Sequence, residues 1–296
     1  MRSFWESIRV FWLRNDVLVV CSFLVVSLTV YHRLDNVNFF ALPKFISCDS
    51  IPFKNNIKYF SGNVNYEAAV PNIVHYIRFG RDAKCFTSQQ ANGLLSVADN
   101  HAPFRVYIHT DNVASVQYNV DRLFAKRVQD LIEVRHYPQP NHIFGLNFSE
   151  VYRIRHAVDF TKLKLLRRYG GICLENNVRV FRNLRKFLNF EMTIVVRPRP
   201  NHEIPVELTD DVIIAHKDAR FLNLWLKSYH EYNRDDAKHL NGDVMETVLK
   251  QGRHYVHIYQ QDLPANMDAD GDEFKNVSNS KKYFFVTTKD NTAQCL

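Results

Sequence analysis

The sequence of 296 residues lacks several patterns that would place it in a common functional class. It contains no RNA-binding signature, and its cysteines and histidines do not stand at the spacing of zinc ligands. No arrangement of serine, histidine and aspartate, or of cysteine and histidine, indicates a nucleophilic hydrolase. No internal repeat is present. These absences argue against a nucleic-acid-binding, zinc-binding or triad-type hydrolytic protein.

The composition instead indicates a globular chain with a substantial core. Hydrophobic residues make up 46% of the sequence and aromatic residues 13%, which argues against low-complexity disorder. The length suits one large domain or two small ones. The formal net charge of +7 comes from scattered basic residues. It is compatible with a solvated surface, an anionic membrane surface or an anionic small substrate.

A membrane anchor is predicted near the N-terminus. Residues 17–31, VLVVCSFLVVSLTVY, carry no charge. At about 1.5 Å per residue they would span about 22 Å, and the two apolar residues at 12–13 could lengthen the span. Arg2, Arg9 and Arg14 precede the run, which favours a cytosolic tail over residues 1–16. No clear cleavage site follows, so the pattern favours an uncleaved transmembrane helix over a signal peptide.

Everything after this span would then be lumenal, in a single-pass type II orientation. Residues 32–70 show no strong periodicity and are interpreted as a stem, followed by a lumenal domain at 71–296. Two glycosylation sequons, at Asn147 and Asn276, agree with a lumenal location.

Cysteine usage is also compatible with an oxidising compartment. Four cysteines remain outside the predicted span, and four cysteines allow three disulfide pairings. Cys173 stands in an apolar strand and is predicted to be a buried free thiol. The pairing among Cys48, Cys85 and Cys295 stays open.

From Pro71 onward, strand and helix patterns alternate, which predicts an α/β domain with a mainly parallel sheet. Ligands of such sheets bind beyond the carboxyl ends of the strands. Strands are predicted at 73–79, 104–109, 131–136, 172–174, 192–196 and 211–215, and helices at 87–99, 119–128, 149–169, 219–231 and 241–250.

The stretch RRYGGICLENNV, residues 167–178, indicates a ligand site at one strand end. A glycine pair lets the chain leave a helix and turn into a short strand, which ends at Glu175 and Asn177. Residues two apart on an extended strand point to the same side. Two oxygen ligands on one side suit a hard cation that holds a diphosphate. The alternative from local spacing is an ordinary polar turn.

The wider segment 159–184, DFTKLKLLRRYGGICLENNVRVFRNL, resembles the sugar-nucleotide signature of glycosyltransferase family 32, which carries the DXD motif. Asp159 stands at the leading Asp, Lys162 at an Arg three residues on, and the glycine pair matches. Glu175 and Asn177 stand at the two Asp positions of the motif. VPNIVHYIRFG at 70–80 and DVIIAHKDARFLNLWLKSYHEY at 211–232 also resemble the family.

The resemblance implies a single GT-A domain that binds a nucleotide sugar, with a UDP-sugar favoured. It implies transfer of a hexose to a glycan or glycoconjugate with retention, as in galactosyl- and mannosyltransferases. Mn²⁺ is the usual cofactor, and a Golgi membrane is the usual location. The metal ligands would be Glu175 and Asn177, and the nucleotide-sugar-binding residues would be Asp159, Lys162, Glu175, Asn177, Arg78 and Asp211.

The motif departs from the family at three positions. Glu175 is one methylene longer than Asp, and Asn177 supplies an amide oxygen without charge. Lys162 keeps the positive charge of Arg but loses its bidentate geometry. Mn²⁺ binding is therefore predicted to be weak or dispensable, with Lys162 or Arg78 stabilising the diphosphate instead. The alternatives are a degenerate relative that binds a sugar nucleotide or glycan without catalysis, and a secretory-pathway interaction domain.

Overall fold

The computed structural model describes residues 69–148, 150, 152–198, 206–231, 251–261, 274, 276–277, 283–288 and 295–296. The predicted cytosolic tail, the predicted span at 17–31 and nearly all of the predicted stem lie outside these ranges. Within them, no helix combines the length and the apolar character that a membrane crossing needs.

The first half of the described chain alternates strands and helices, as predicted. The helix expected at 87–99 is confirmed as Ser88–Asn100. Thr87 and Gln90 form a reciprocal capping box at its start. The helix expected at 119–128 starts earlier, where Asn112 caps the amide of Ser115, and it is broken into two. The elements are β1 (Ile73–Arg78), α1 (Ser88–Asn100), β2 (Arg105–Thr110), α2 (Val113–Leu123), α3 (Lys126–Gln129) and β3 (Ile132–His136).

The second half contains the elements that build the candidate site. The long predicted helix begins at Arg153 rather than at 149 and ends at Tyr169 as expected. The helix predicted at 241–250 lies outside the described residues. The elements are β4 (His142–Ile143), β5 (Leu146–Asn147), α4 (Arg153–Tyr169), β6 (Gly171–Leu174), β7 (Val178–Val180), β8 (Met192–Pro198), β9 (Val206–Ala215), α5 (Arg220–Ser228), β10 (His257–Gln260) and β11 (Phe285–Thr287).

Seven strands form one mixed sheet in the order β10-β8-β9-β6-β1-β2-β3. The predicted mainly parallel sheet is confirmed: β3, β2, β1 and β6 are parallel neighbours, and β10 is parallel to β8. Strand β9 runs antiparallel to both β6 and β8. The middle of β9, at Val212, therefore lies beside the carboxyl end of β6.

Strand β9 is irregular at this point. Ile194 of β8 lies opposite Ile213, but the next residue, Val195, lies opposite Thr209. Residues 210–212 therefore bulge out of the pairing with β8. On the other side, the amide of Glu175 donates to the carbonyl of Asp211 at 2.8 Å. Bulges re-aim side chains, and this one places two consecutive aspartates at the end of β6.

Buried side chains alternate between the two faces of the sheet. On β6, Cys173 packs into one core cluster with side chains of α4 and α5. Its neighbours Ile172 and Leu174 pack into the opposite cluster with side chains of α1 and α2. The sheet thus lies between two helical layers, and a three-layer α/β arrangement exposes its strand ends for binding.

A disulfide joins Cys85 to Cys295, with 5.5 Å between the Cα atoms. The structure thus pairs two of the three cysteines whose pairing the sequence left open. The third, Cys48, lies outside the described residues. Cys173 is buried and free, which confirms the prediction. Its thiol has a pKa raised to about 12 by burial. Cys173 is therefore an inert core residue.

Candidate functional site

The glycine pair makes the tight turn that the sequence predicted between α4 and β6. Gly170 has φ of 67° and Gly171 has φ of 110°, a backbone region that side chains with a Cβ rarely adopt. A Cβ on Gly171 would lie 2.8 Å from the carbonyl oxygen of Ile73 on β1. Glycine therefore allows β6 to leave the helix and pair closely with β1, which aims Glu175 at the carboxyl edge of the sheet.

A buried histidine pair is hydrogen-bonded to the same turn. His75 is fully buried, and one of its ring nitrogens, Nε2, lies 3.0 Å from the carbonyl oxygen of Gly170. Because a carbonyl only accepts, Nε2 carries the proton, and Nδ1 accepts from Nε2 of His109 at 3.0 Å. Burial lowers the pKa of His75 to about 4 and that of His109 to about 3. Both rings are neutral and structural.

Three of the predicted residues, Asp159, Lys162 and Glu175, meet Asp210 in one four-residue ion cluster, which we call the Lys162 cluster. Lys162 Nζ lies 2.9 Å from Asp210 Oδ2 and 3.4 Å from Asp159 Oδ1, and it also donates to Glu175 Oε1. It donates further to the backbone carbonyl of Asp210 at 3.2 Å. The side chain of Lys162 is 1% exposed and that of Glu175 is 27% exposed. Glu175 is therefore the member that a ligand could reach.

The electrostatics of the Lys162 cluster differ from residue to residue. Burial and the neighbouring Asp210 charge raise the pKa of Asp159 well above its usual value. Burial alone would raise the pKa of Asp210, but Lys162 and a hydrogen bond from Asp159 lower it. Burial would lower the pKa of Lys162, but attraction to the surrounding carboxylates raises it. The raised pKa of Asp159 favours its protonated form beside Asp210, and the raised pKa of Lys162 favours its charged ammonium form.

Asn177 does not join this cluster. The chain turns after Leu174, with the amide of Val178 donating to the carbonyl of Glu175 at 3.1 Å, so the expected extended strand through 177 is wrong. Asn177 Nδ2 donates to the carbonyl of Thr288 at 2.6 Å, and its own carbonyl accepts from the Thr288 hydroxyl at 2.9 Å. A β-turn rotates consecutive residues out of alternation, so Glu175 and Asn177 have different partners. A carboxylate at 177 would face the Thr288 carbonyl oxygen.

Asp211 belongs to a second ion pair. Its carboxylate accepts from Arg197 Nη2 and, at 2.9 Å, from the hydroxyl of Thr287. Arg197 Nη2 also lies 2.7 Å from that hydroxyl. Since Asp210 and Asp211 are consecutive, the bulge sends one to Lys162 and the other to Arg197. Sequence reasoning missed Arg197 and Thr287, because no local pattern marks residues that meet only through the sheet.

Arg78 lies in a buried network beside the site. It is 2% exposed, and its guanidinium lies 3.6 Å from the centre of the Phe86 ring. It donates to Gln90 Oε1 at 2.9 Å, to Asn176 Oδ1 at 3.3 Å and to the carbonyl of Asp82 at 2.8 Å. These contacts fasten the turn after β6 to the start of α1. A direct contact of Arg78 with a nucleotide stays a prediction.

The residues that could hold a divalent cation are Asp159, Glu175 and Asp210, which can each place a carboxylate oxygen within 4.8 Å of the others. Oxygen ligands of this kind suit Mg²⁺, Ca²⁺ or Mn²⁺. In this structure the group that contacts all three carboxylates is the ammonium of Lys162. The donor set of the predicted site, Glu175 with Asn177, is not brought together.

Comparisons with known proteins leave the family undecided. No family model and no curated protein sequence matches the chain. The PaToxG glycosyltransferase is 16% identical, with a TM-score of 0.43 over 67% of this chain and 75% of that chain. The galactosyltransferase LgtC, in complex with donor and acceptor sugar analogues, is 10% identical, with a TM-score of 0.40 over 73% of this chain and 86% of that chain. An active-site mutant of LgtC is 9% identical, with a TM-score of 0.44.

These solved structures are glycosyltransferases. At such low identities and TM-scores the likeness supports no argument about the activity of this chain. Membership of family 32 therefore stays a prediction that rests on the sequence motif.

Proposed function

We propose that this protein is a membrane-anchored glycosyltransferase that transfers a hexose from a nucleotide sugar to a glycan or glycoconjugate, with retention. A UDP-sugar is the favoured donor. The observation that carries the proposal is the meeting of Asp159, Lys162 and Glu175 with Asp210. The family resemblance singles out the first three at separated places in the sequence. They converge at the carboxyl edge of a mainly parallel sheet, where such sheets bind ligands.

The roles of these side chains follow from their exposure. Glu175 is half-buried and would contact the donor, while Asp159 and Lys162 lie behind it and hold it in place. Arg155, on the first turn of α4, is exposed, and its positive charge helps to lower the pKa of Asp210. We assign Arg155 to the donor diphosphate, because it is a cation near the cluster that a ligand can reach.

Two observations favour the alternative of a degenerate relative that binds a sugar nucleotide or glycan without catalysis. Asn177, at the position of the second motif aspartate, is held by Thr288. Lys162 is buried among carboxylates and is not available to a leaving diphosphate. Both features would remove charge stabilisation that the reaction uses.

Turnover of a panel of UDP- and GDP-sugars by the purified full-length protein tests the proposal, with Mn²⁺ and with chelator. The Glu175→Gln variant should lose turnover, whereas Glu133→Gln, an exposed residue on β3, should retain it. Nucleotide binding without turnover would support the degenerate relative. If the protein neither binds nor turns over a sugar nucleotide, the remaining alternative is a secretory-pathway interaction domain.

We further propose a type II Golgi location with residues 1–16 in the cytosol. The disulfide Cys85–Cys295 supports an oxidising compartment, and the sequon residues Asn147 and Asn276 are both exposed. A glycosidase-sensitive gel shift should appear in cells and vanish in the double Asn→Gln variant. A C-terminal tag should resist protease in sealed microsomes, and digestion without detergent would refute the orientation.

A further inference from the structure

The cation that the DXD resemblance assigns to this site does not fit the residues present. A divalent cation among the carboxylates of Asp159, Glu175 and Asp210 would need metal–oxygen distances of about 2.0–2.6 Å. Lys162 Nζ already contacts an oxygen of each of them, at 2.9 Å for Asp210 and 3.4 Å for Asp159. We propose that the ammonium of Lys162 is the resident cation of this cluster and excludes a divalent metal from it.

The position of Lys162 on α4 places its ammonium inside the protein. Its side chain is 1% exposed, and its helix neighbours Thr161 and Leu163 are fully buried. The ammonium therefore has almost no contact with solvent. Its three protons are directed to carboxylates and to the backbone carbonyl of Asp210. All three donors of the buried ammonium therefore have acceptors, and a second cation would have to displace these hydrogen bonds.

Electrostatic repulsion also argues against a divalent cation in the Lys162 cluster. A divalent cation placed among the same oxygens would lie within a few ångströms of the ammonium and be repelled by it. Asn177, the expected second ligand, is bonded to Thr288 and supplies no compensating oxygen to this cluster. The lysine therefore supplies a tethered positive charge at the place where the family resemblance puts a metal ion.

One consequence rests on the proposed function: donor binding should be the same with Mn²⁺ and with chelator. The cation content of the cluster can be tested separately. Mn²⁺ alone, without nucleotide, is titrated into the full-length protein by calorimetry and by electron paramagnetic resonance of free Mn²⁺. Lys162→Met removes the ammonium while keeping an unbranched side chain. Lys164→Met, an exposed lysine on the same helix, is the matched control.

Wild type and Lys164→Met should show no saturable Mn²⁺ binding that depends on Glu175. Lys162→Met should bind Mn²⁺ saturably, with a dissociation constant at least about tenfold below the detection limit that wild type sets. Adding Glu175→Gln to it should abolish this binding. A folded Lys162→Met protein that binds Mn²⁺ no better than wild type would overturn the proposal. So would saturable binding by wild type that Glu175→Gln removes.

Lys162→Arg covers the case in which Lys162→Met does not fold. It retains the charge and should exclude Mn²⁺ as wild type does, so Mn²⁺ binding by this variant would also overturn the proposal. Folding of each variant is followed by near-ultraviolet circular dichroism. If no sugar nucleotide is turned over, the proposed function fails, yet the Mn²⁺ titrations still decide the identity of the cation.

Discussion

The disulfide between Cys85 and Cys295 should be a major source of stability, because it closes a loop between residues 210 positions apart. In the chain-entropy model, a cross-link restricts the unfolded chain, and its effect grows with the logarithm of loop length. For a loop of this length the model gives about 5 kcal/mol at 25 °C, and measured effects are typically about 2–4 kcal/mol. Total stabilities are only about 5–15 kcal/mol, so the loss would be large.

Two hydrogen bonds beside the bridge involve neither of its sulfur atoms. The amide of Leu296 donates to the carbonyl of Phe86 at 2.9 Å, and Arg122 donates to the carbonyl of Leu296 at 2.6 Å. Both hydrogen bonds can persist when the bridge is removed. The cost of removal should therefore arise mainly in the unfolded state, which gains freedom.

Thermal unfolding of wild type and of the Cys85→Ala/Cys295→Ala variant measures the effect. For a domain of this size, 1 kcal/mol shifts the unfolding midpoint by about 2–4 °C. A loss of about 2–4 kcal/mol therefore predicts a midpoint about 4–16 °C lower for the variant. A phosphine reductant should lower the midpoint of wild type and of Cys173→Ala, but not that of the double variant. If thiol titration shows that the bridge is reduced and the wild-type midpoint does not move, the loop-closure reasoning is refuted.

Two further predictions concern the turn between α4 and β6. His75 and His109 are neutral when folded, with pKa values of about 4 and about 3, whereas unfolded histidines titrate near 6.5. Their contribution is complete above pH 6.5 and is lost as pH falls below it, at up to about 1.4 kcal/mol per pH unit and histidine. Between pH 7.5 and pH 5, the urea midpoint of His109→Gln should fall less steeply than that of the control variant His142→Gln, because His142 is exposed. Equal slopes in the two variants would contradict this prediction. Gly171→Ala should cost more than Gly145→Ala by urea denaturation, because a Cβ at 145 meets nothing within 4 Å; similar losses would show that the close approach to β1 is not limiting.

Local patterns in the sequence were sufficient for most elements of the fold. The helix ending at Tyr169, the glycine turn and the apolar strand at Gly171–Leu174 follow from periodicity and from the conformational freedom of glycine, and the structure confirms them. The mainly parallel sheet follows from alternating strands and helices. Burial of Cys173 follows from its apolar neighbours. The anchor, the orientation and the compartment stay predictions from the sequence.

The arrangement of the candidate site was decided by tertiary structure. Strand β9 runs antiparallel beside β6 and bulges at 210–212, which brings Asp210 to Lys162 across 48 positions of sequence. The turn after Glu175 sends Asn177 to Thr288, 111 positions away. Sequence spacing reports which side chains share a face within one element, but the partner of a buried charge depends on which distant element packs beside it. For this reason the sequence predicted a weakened metal site, whereas the folded chain shows a carboxylate cluster that holds a lysine.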